Sequence, residues 1–131
     1  MNNTLDITTL VNAYVNVIAS GDTNAFRQLW TGKDNTLVSI GKLFNGIDDI
    51  TDDFLIGTVQ RKYESIRLVT EDIKIIEASE SMAVVIFRFT GEAILRNTLK
   101  DYSFKGLETQ VLVKDKKSWK FQHIHYSKRS I

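Results

Sequence analysis

The chain has 131 residues, 43% of them hydrophobic and 25% charged, with 17 basic and 16 acidic side chains and a formal net charge of +1. That mix suits a globular chain, so a single domain over residues 1–131 is expected, with no nucleic-acid and no membrane partner that charge would attract. Cysteine is absent, which excludes disulfides, thiolate catalysis and cysteine-bound zinc, and proline is absent where ordinary usage would give about six.

The opening "MNNTLDITTL" lacks a basic start followed by a long apolar run, so no signal peptide is visible and a cytoplasmic location is expected. Residues 4–22 space Leu10, Tyr14, Val17 and Ile18 at three- and four-residue intervals, the apolar stripe of a helix that Gly21 is placed to end. Asp22 can cap a second, short helix, "TNAFRQLW", with Ala25, Phe26, Leu29 and Trp30 on its inner side. "NTLVSIG" reads as a short strand, "KLFNG" as a turn or bridge, and residues 46–61 as a third helix. The four aspartates at its start, Asp48, Asp49, Asp52 and Asp53, suit the positive end of a helix dipole and lack the spacing of a calcium loop.

From Tyr63 the period falls to two. "YESIRLVT", "EDIKIIEAS", "SMAVVIFRFTGEAIL", "DYSFKGLETQVLVKD" and "SWKFQHIHYSK" read as successive strands, the last two joined by a polar hairpin turn without glycine. Helices followed by a bent antiparallel meander make the fold class α+β.

Two stretches carry a family resemblance. "AYVNVIASGDTNAFRQLW" resembles the opening helices, and "GLETQVLVKDKKSWKFQHIHYS" the closing hairpin, of SnoaL-like domains in the nuclear-transport-factor-like, cystatin-fold superfamily. The likeness runs over residues 5–128 and is weakest in the middle. It implies a cystatin-like cone, with the N-terminal helices packed in a strongly curved, antiparallel or mixed sheet, a pocket at the wide end, and a homodimer built through the sheet. The ending also resembles the association domain of calmodulin-dependent kinase, a pocket-bearing oligomerisation module.

Alternation along the last strand puts Trp119, Phe121, His123, His125 and Ser127 on one face. A face combining His123, His125, Arg88 and Gln110 with large apolar groups would suit a ligand pocket, and the resemblance turns that face inward. The kinase domain has an arginine matching Arg88, able to hold a carboxylate in two-point fashion, and a second one where Gln110 stands here. Tyr14, Trp30 and Tyr102 are further candidate ligand-binding residues. His123 and His125 are the candidate catalytic bases, since imidazole titrates near neutral pH. A metal is not expected, because no third histidine or any cysteine is present and Glu108 would have to complete the set. No cofactor fingerprint is present either.

The resemblance to ketosteroid isomerases places Tyr14 at the family's tyrosine. The family's base falls on or beside Ser39, which has no carboxylate, and its second acid near Thr109, with Glu108 adjacent and pointing the other way. Three functions therefore stay open. The chain could bind a small, partly apolar ligand, an acidic one included. It could be a dehydratase, isomerase or cyclase using a pocket histidine. It could be a non-catalytic oligomerisation module.

Overall fold

The computed structural model describes residues 3–131. Helix α1, Asn3–Ser20, buries Ile7, Leu10, Val11, Tyr14, Val17 and Ile18 along one face. It stops at Gly21, whose φ of +71° lets its N–H reach the Val17 carbonyl at 2.8 Å. Helix α2, Thr23–Gln28, starts where the Asp22 carboxylate accepts the Ala25 N–H at 3.0 Å. Leu29 and Trp30, read from the sequence as helical, lie past its end, and Trp30 instead bridges to Phe121.

Strands β1, Thr36–Ser39, and β2, Lys42–Asn45, form a hairpin where one strand followed by a turn or bridge was expected. Ile40 and Gly41 make its two-residue turn with φ of +49° and +81°, the backbone twist that tight hairpins require. A β-branched residue seldom takes that conformation. The third helix, Asp49–Gln60, is a π-helix, and the Thr58 hydroxyl donates to the Asp53 carbonyl five residues back at 2.8 Å.

Four long strands complete the chain: β3, Tyr63–Glu77; β4, Met82–Leu95; β5, Asp101–Asp115; and β6, Ser118–Ser130. The two strands expected over residues 63–79 are one, kinked between Thr70 and Asp72 where Glu71 has no partner in the ladder. The sheet order is β2-β1-β6-β5-β4-β3, with β1 parallel to β6 and every other pair antiparallel. The architecture is α+β, a curved six-stranded mixed sheet with the helices packed on one face. A bulge at each irregularity bends strands far longer than usual around those helices.

On β4 the inward side chains are Ala83, Val85, Phe87, Phe89, Gly91 and Ala93; on β5 they are Phe104, Gly106, Glu108, Gln110 and Leu112. Two glycines lie inside these strands for a steric reason. Gly91 is paired with Phe104 and Gly106 with Phe89, and each phenyl ring lies over the glycine opposite. A Cβ at Gly91 would sit 2.2 Å from the Phe104 ring, and one at Gly106 would sit 2.1 Å from the Phe89 ring. The two rings are thereby laid against the sheet, 6.2 Å apart, and leave open space between the sheet and the helices.

Candidate functional site

That space is a cavity of about 560 Å³ counting its open mouth. Tyr14 and Ile18 of α1 face Phe89, Phe104, Glu108 and Tyr126 of the sheet across it. Phe54, Thr58 and Val59 of the π-helix form a side wall, and Ser39 and Ile40 contribute from the hairpin. Lys62 and Lys128 stand at the exposed end. The walls are mostly apolar with a few convergent polar groups, as in small-molecule sites generally.

Glu108 is the unusual member. It is 2% exposed, yet among the described residues no cation balances it. Its carboxyl accepts the Tyr14 hydroxyl on Oε2 at 2.9 Å and the Gln110 amide on Oε1 at 2.9 Å. Burial outweighs these two hydrogen bonds and raises the pKa from the ordinary 4.5 to about 7. Tyr14 is held well above the usual tyrosine range, first by burial and then by the neighbouring Glu108 charge, so it stays a neutral donor. Burial likewise raises Tyr126, which is paired with Glu108 across the β5–β6 ladder. The Gln110 Oε1 atom is buried without a partner. A half-turn of that amide would present an acceptor to Glu108, the pairing a protonated carboxyl needs. The pair can therefore donate to, or accept from, an oxygen brought into the cavity near neutral pH.

Glu108 and Tyr14 meet, whereas the family correspondence had Thr109 facing in and Glu108 facing out. Strand parity decides the matter. Phe104, Gly106, Glu108, Gln110 and Leu112 all point inward, and Thr109 is exposed on the opposite face.

The expected face of His123, His125, Arg88 and Gln110 is corrected by the same geometry. Trp119 and Phe121 point inward, but the ladder slips between Val111 and Leu112, so Gln122 is an extra residue on β6. Beyond this bulge Ile124 and Tyr126 face inward, while His123 and His125 turn to the outer face. His125 is exposed; half-buried His123 has Nδ1 2.8 Å from the Thr36 hydroxyl. Burial, and then the His125 charge, lowers the His123 pKa. Arg88 is opposite Leu107, also on the outer face, with its guanidinium 3.8 Å from Asp72.

Gln110 is buried beneath Glu108, and Trp30 packs between Phe26 and Phe121, 6.0 Å and 5.7 Å from their rings, outside the cavity lining. Tyr102 is also outside the cavity lining, and its hydroxyl accepts from Lys128 Nζ, which does line it, at 2.9 Å. Glu108 cannot join the two histidines around an ion, since the sheet separates them. Among the described residues no cluster of three His, Cys, Asp or Glu is placed to hold a metal. No helix among them is long and apolar enough to cross a membrane.

One signal for the bulge was present in the sequence. Apolar Trp119 and Phe121 are two apart, then Ile124 follows after three and Tyr126 after two more. That single step of three is an alternation losing its phase.

Solved structures share this architecture. A nuclear transport factor 2-like superfamily protein from Salmonella enterica serovar Typhimurium superposes with a TM-score of 0.89 at 22% identity, covering 97% of this chain and 91% of that one. A hexachlorocyclohexane dehydrochlorinase from Novosphingobium barchaimii gives 0.87 at 12% identity, covering 97% and 86%. A ketosteroid isomerase-like protein from Erwinia carotovora atroseptica gives 0.82 at 19% identity, covering 97% and 96%. At these identities the likeness shows the fold alone. No curated protein sequence matches the chain. The model of the SnoaL-like domain matches residues 7–129, nearly the whole chain, and the protein belongs to that family.

Proposed function

We propose that the protein binds a small, largely apolar molecule carrying a carbonyl or hydroxyl oxygen, which enters the cavity and hydrogen-bonds the Tyr14–Glu108 pair. The observation that carries this reading is a buried carboxyl, unbalanced by any cation among the described residues, facing apolar walls and bonded to a tyrosine. Such a group is costly to bury for packing alone. 2-Naphthol, a flat apolar body with one hydroxyl, is the probe. Saturable binding that weakens at least fivefold in Tyr14→Phe and Glu108→Gln, and is unchanged in His125→Ala, supports the reading. Absence of saturable binding contradicts it.

A second reading is favoured by the burial of the Glu108 carboxyl, which raises its pKa to about 7. A carboxyl poised there can pass a proton at neutral pH, so a dehydratase-, isomerase- or cyclase-type reaction would use Glu108 as acid or base instead of a histidine. A dehydrochlorinase and a ketosteroid isomerase-like protein are among the proteins that share the fold. Chemical turnover of a bound ketone or alcohol, lost in Glu108→Gln, separates catalysis from binding.

The outer face of the sheet supports a homodimer. Leu43, Ile76, Met82 and Leu107 are exposed there beside half-buried Val84, Ile86 and Val111. An apolar sheet face of this extent suits a second copy of the chain. Sedimentation analysis should give twice the chain mass, and a monomer at micromolar concentration would contradict it.

A further inference from the structure

We infer that the cavity's ligand is an organic anion, held at two ends: its oxygen function by Tyr14 and Glu108, and its anionic group by Lys62 and Lys128 at the mouth. This rests on the binding role proposed for the same cavity.

Both lysines line the cavity, and among the described residues neither forms an ion pair. Three nearby basic side chains are paired: Arg67 with Glu92, Arg96 with Glu64, and Lys105 with Glu71. Lys62 and Lys128 are held instead by aromatic faces. Lys62 Nζ lies 5.4 Å from the Tyr63 ring centroid and 5.5 Å from that of Tyr102. Lys128 Nζ lies 4.9 Å from the Tyr102 centroid and 5.2 Å from that of Phe104, and donates to the Tyr102 hydroxyl. Two ammonium groups thus share one tyrosine, which keeps them together in spite of their repulsion. Aromatic faces orient the cations without neutralising them. Their charge is left for an anion, and the long flexible stems let each ammonium follow it.

The spacing sets the shape of the ligand. Glu108 and Phe104 are four residues apart on β5, roughly 13 Å of strand. Lys128 Nζ lies over the Phe104 ring. A molecule bridging the two ends is elongated, with its apolar middle against the Phe89 and Phe104 rings. A fused two-ring hydroxy acid has this form; a small inorganic anion does not.

The test compares 2-naphthol with 6-hydroxy-2-naphthoate, which adds a carboxylate at the far end of the same ring system. Affinities are measured by fluorescence titration at pH 7 for wild type and for Lys62→Met/Lys128→Met, which keeps the apolar stems over the rings. The expected result is at least tenfold tighter binding of the acid by wild type, a preference that shrinks with added salt and vanishes in the double variant. A circular dichroism spectrum matching wild type shows that the double variant folds, and its loss of affinity should be much larger for the acid than for 2-naphthol. Equal affinity for the two probes, or an undiminished preference in the double variant, would overturn the anion site and leave the cavity reading standing. Failure of both probes to bind wild type would overturn both.

Discussion

Replacing Glu108 by glutamine should change the pH dependence of stability in a direction fixed by burial. The carboxyl binds its proton more tightly folded, at about 7, than unfolded, near 4.5. Its contribution is therefore fully present below about pH 4.5 and is lost as the pH rises through about 7. A displacement of that size is worth about 3 kcal/mol. The glutamine variant has no proton to lose at this position. It should match wild type to within about 1 kcal/mol at pH 5 and exceed it by about 3 kcal/mol at pH 8, where the wild type must bury a charge. His123 acts in the opposite sense, because its lowered pKa adds stability as the pH rises towards 6.5, but it is present in both proteins and cancels. Urea unfolding followed by circular dichroism at pH 5, 6, 7 and 8, at one protein concentration, gives the difference directly. Parallel stability curves for the two proteins would refute the reasoning.

Tyr14→Phe removes a donor to the same carboxyl. It should cost about 2 kcal/mol at pH 8, where the acceptor is charged, and about 1 kcal/mol at pH 5, both read from urea midpoints. Gly106→Ala forces a Cβ into the Phe89 ring and should destabilise by about 2 kcal/mol or more. In a Phe89→Ala background that cost should largely disappear, as a double-mutant cycle would show. Leu107→Glu places a charge in the middle of the outer apolar face and should yield monomers in sedimentation without loss of 2-naphthol binding.

Much of the fold was legible where a long element keeps one period throughout. The Leu10–Tyr14–Val17–Ile18 stripe and its glycine stop define α1, and "DYSFKGLETQVLVKD" coincides with β5. The π-helix was not legible, since a twelve-residue segment shows much the same apolar spacing in either winding. The site was half legible. Tyr14 belongs to a helix whose phase is unbroken, so its inward direction follows from its spacing. The direction of His123 and His125 depends on a single extra residue at Gln122, and one slipped position reverses every side chain beyond it. Arg88 differs in cause: its strand has no slip, but its parity relative to Gln110 is set by cross-strand pairing, which one strand's sequence does not contain. Lys62 and Lys128 gave no local signal, because what unites them is the Tyr102 ring, distant from both in sequence.

The central claim is that a ligand reaches Glu108 inside the cavity, and the carbon-13 resonance of the Glu108 side-chain carboxyl tests it most directly. The resonance is identified by its absence from the Glu108→Gln spectrum and followed against pH, with and without 2-naphthol. The account predicts a midpoint at about 7 in the free protein and a displaced resonance and midpoint in the complex. A midpoint near 4.5, or a ligand that shifts outer-face resonances and leaves this one unmoved, would contradict it.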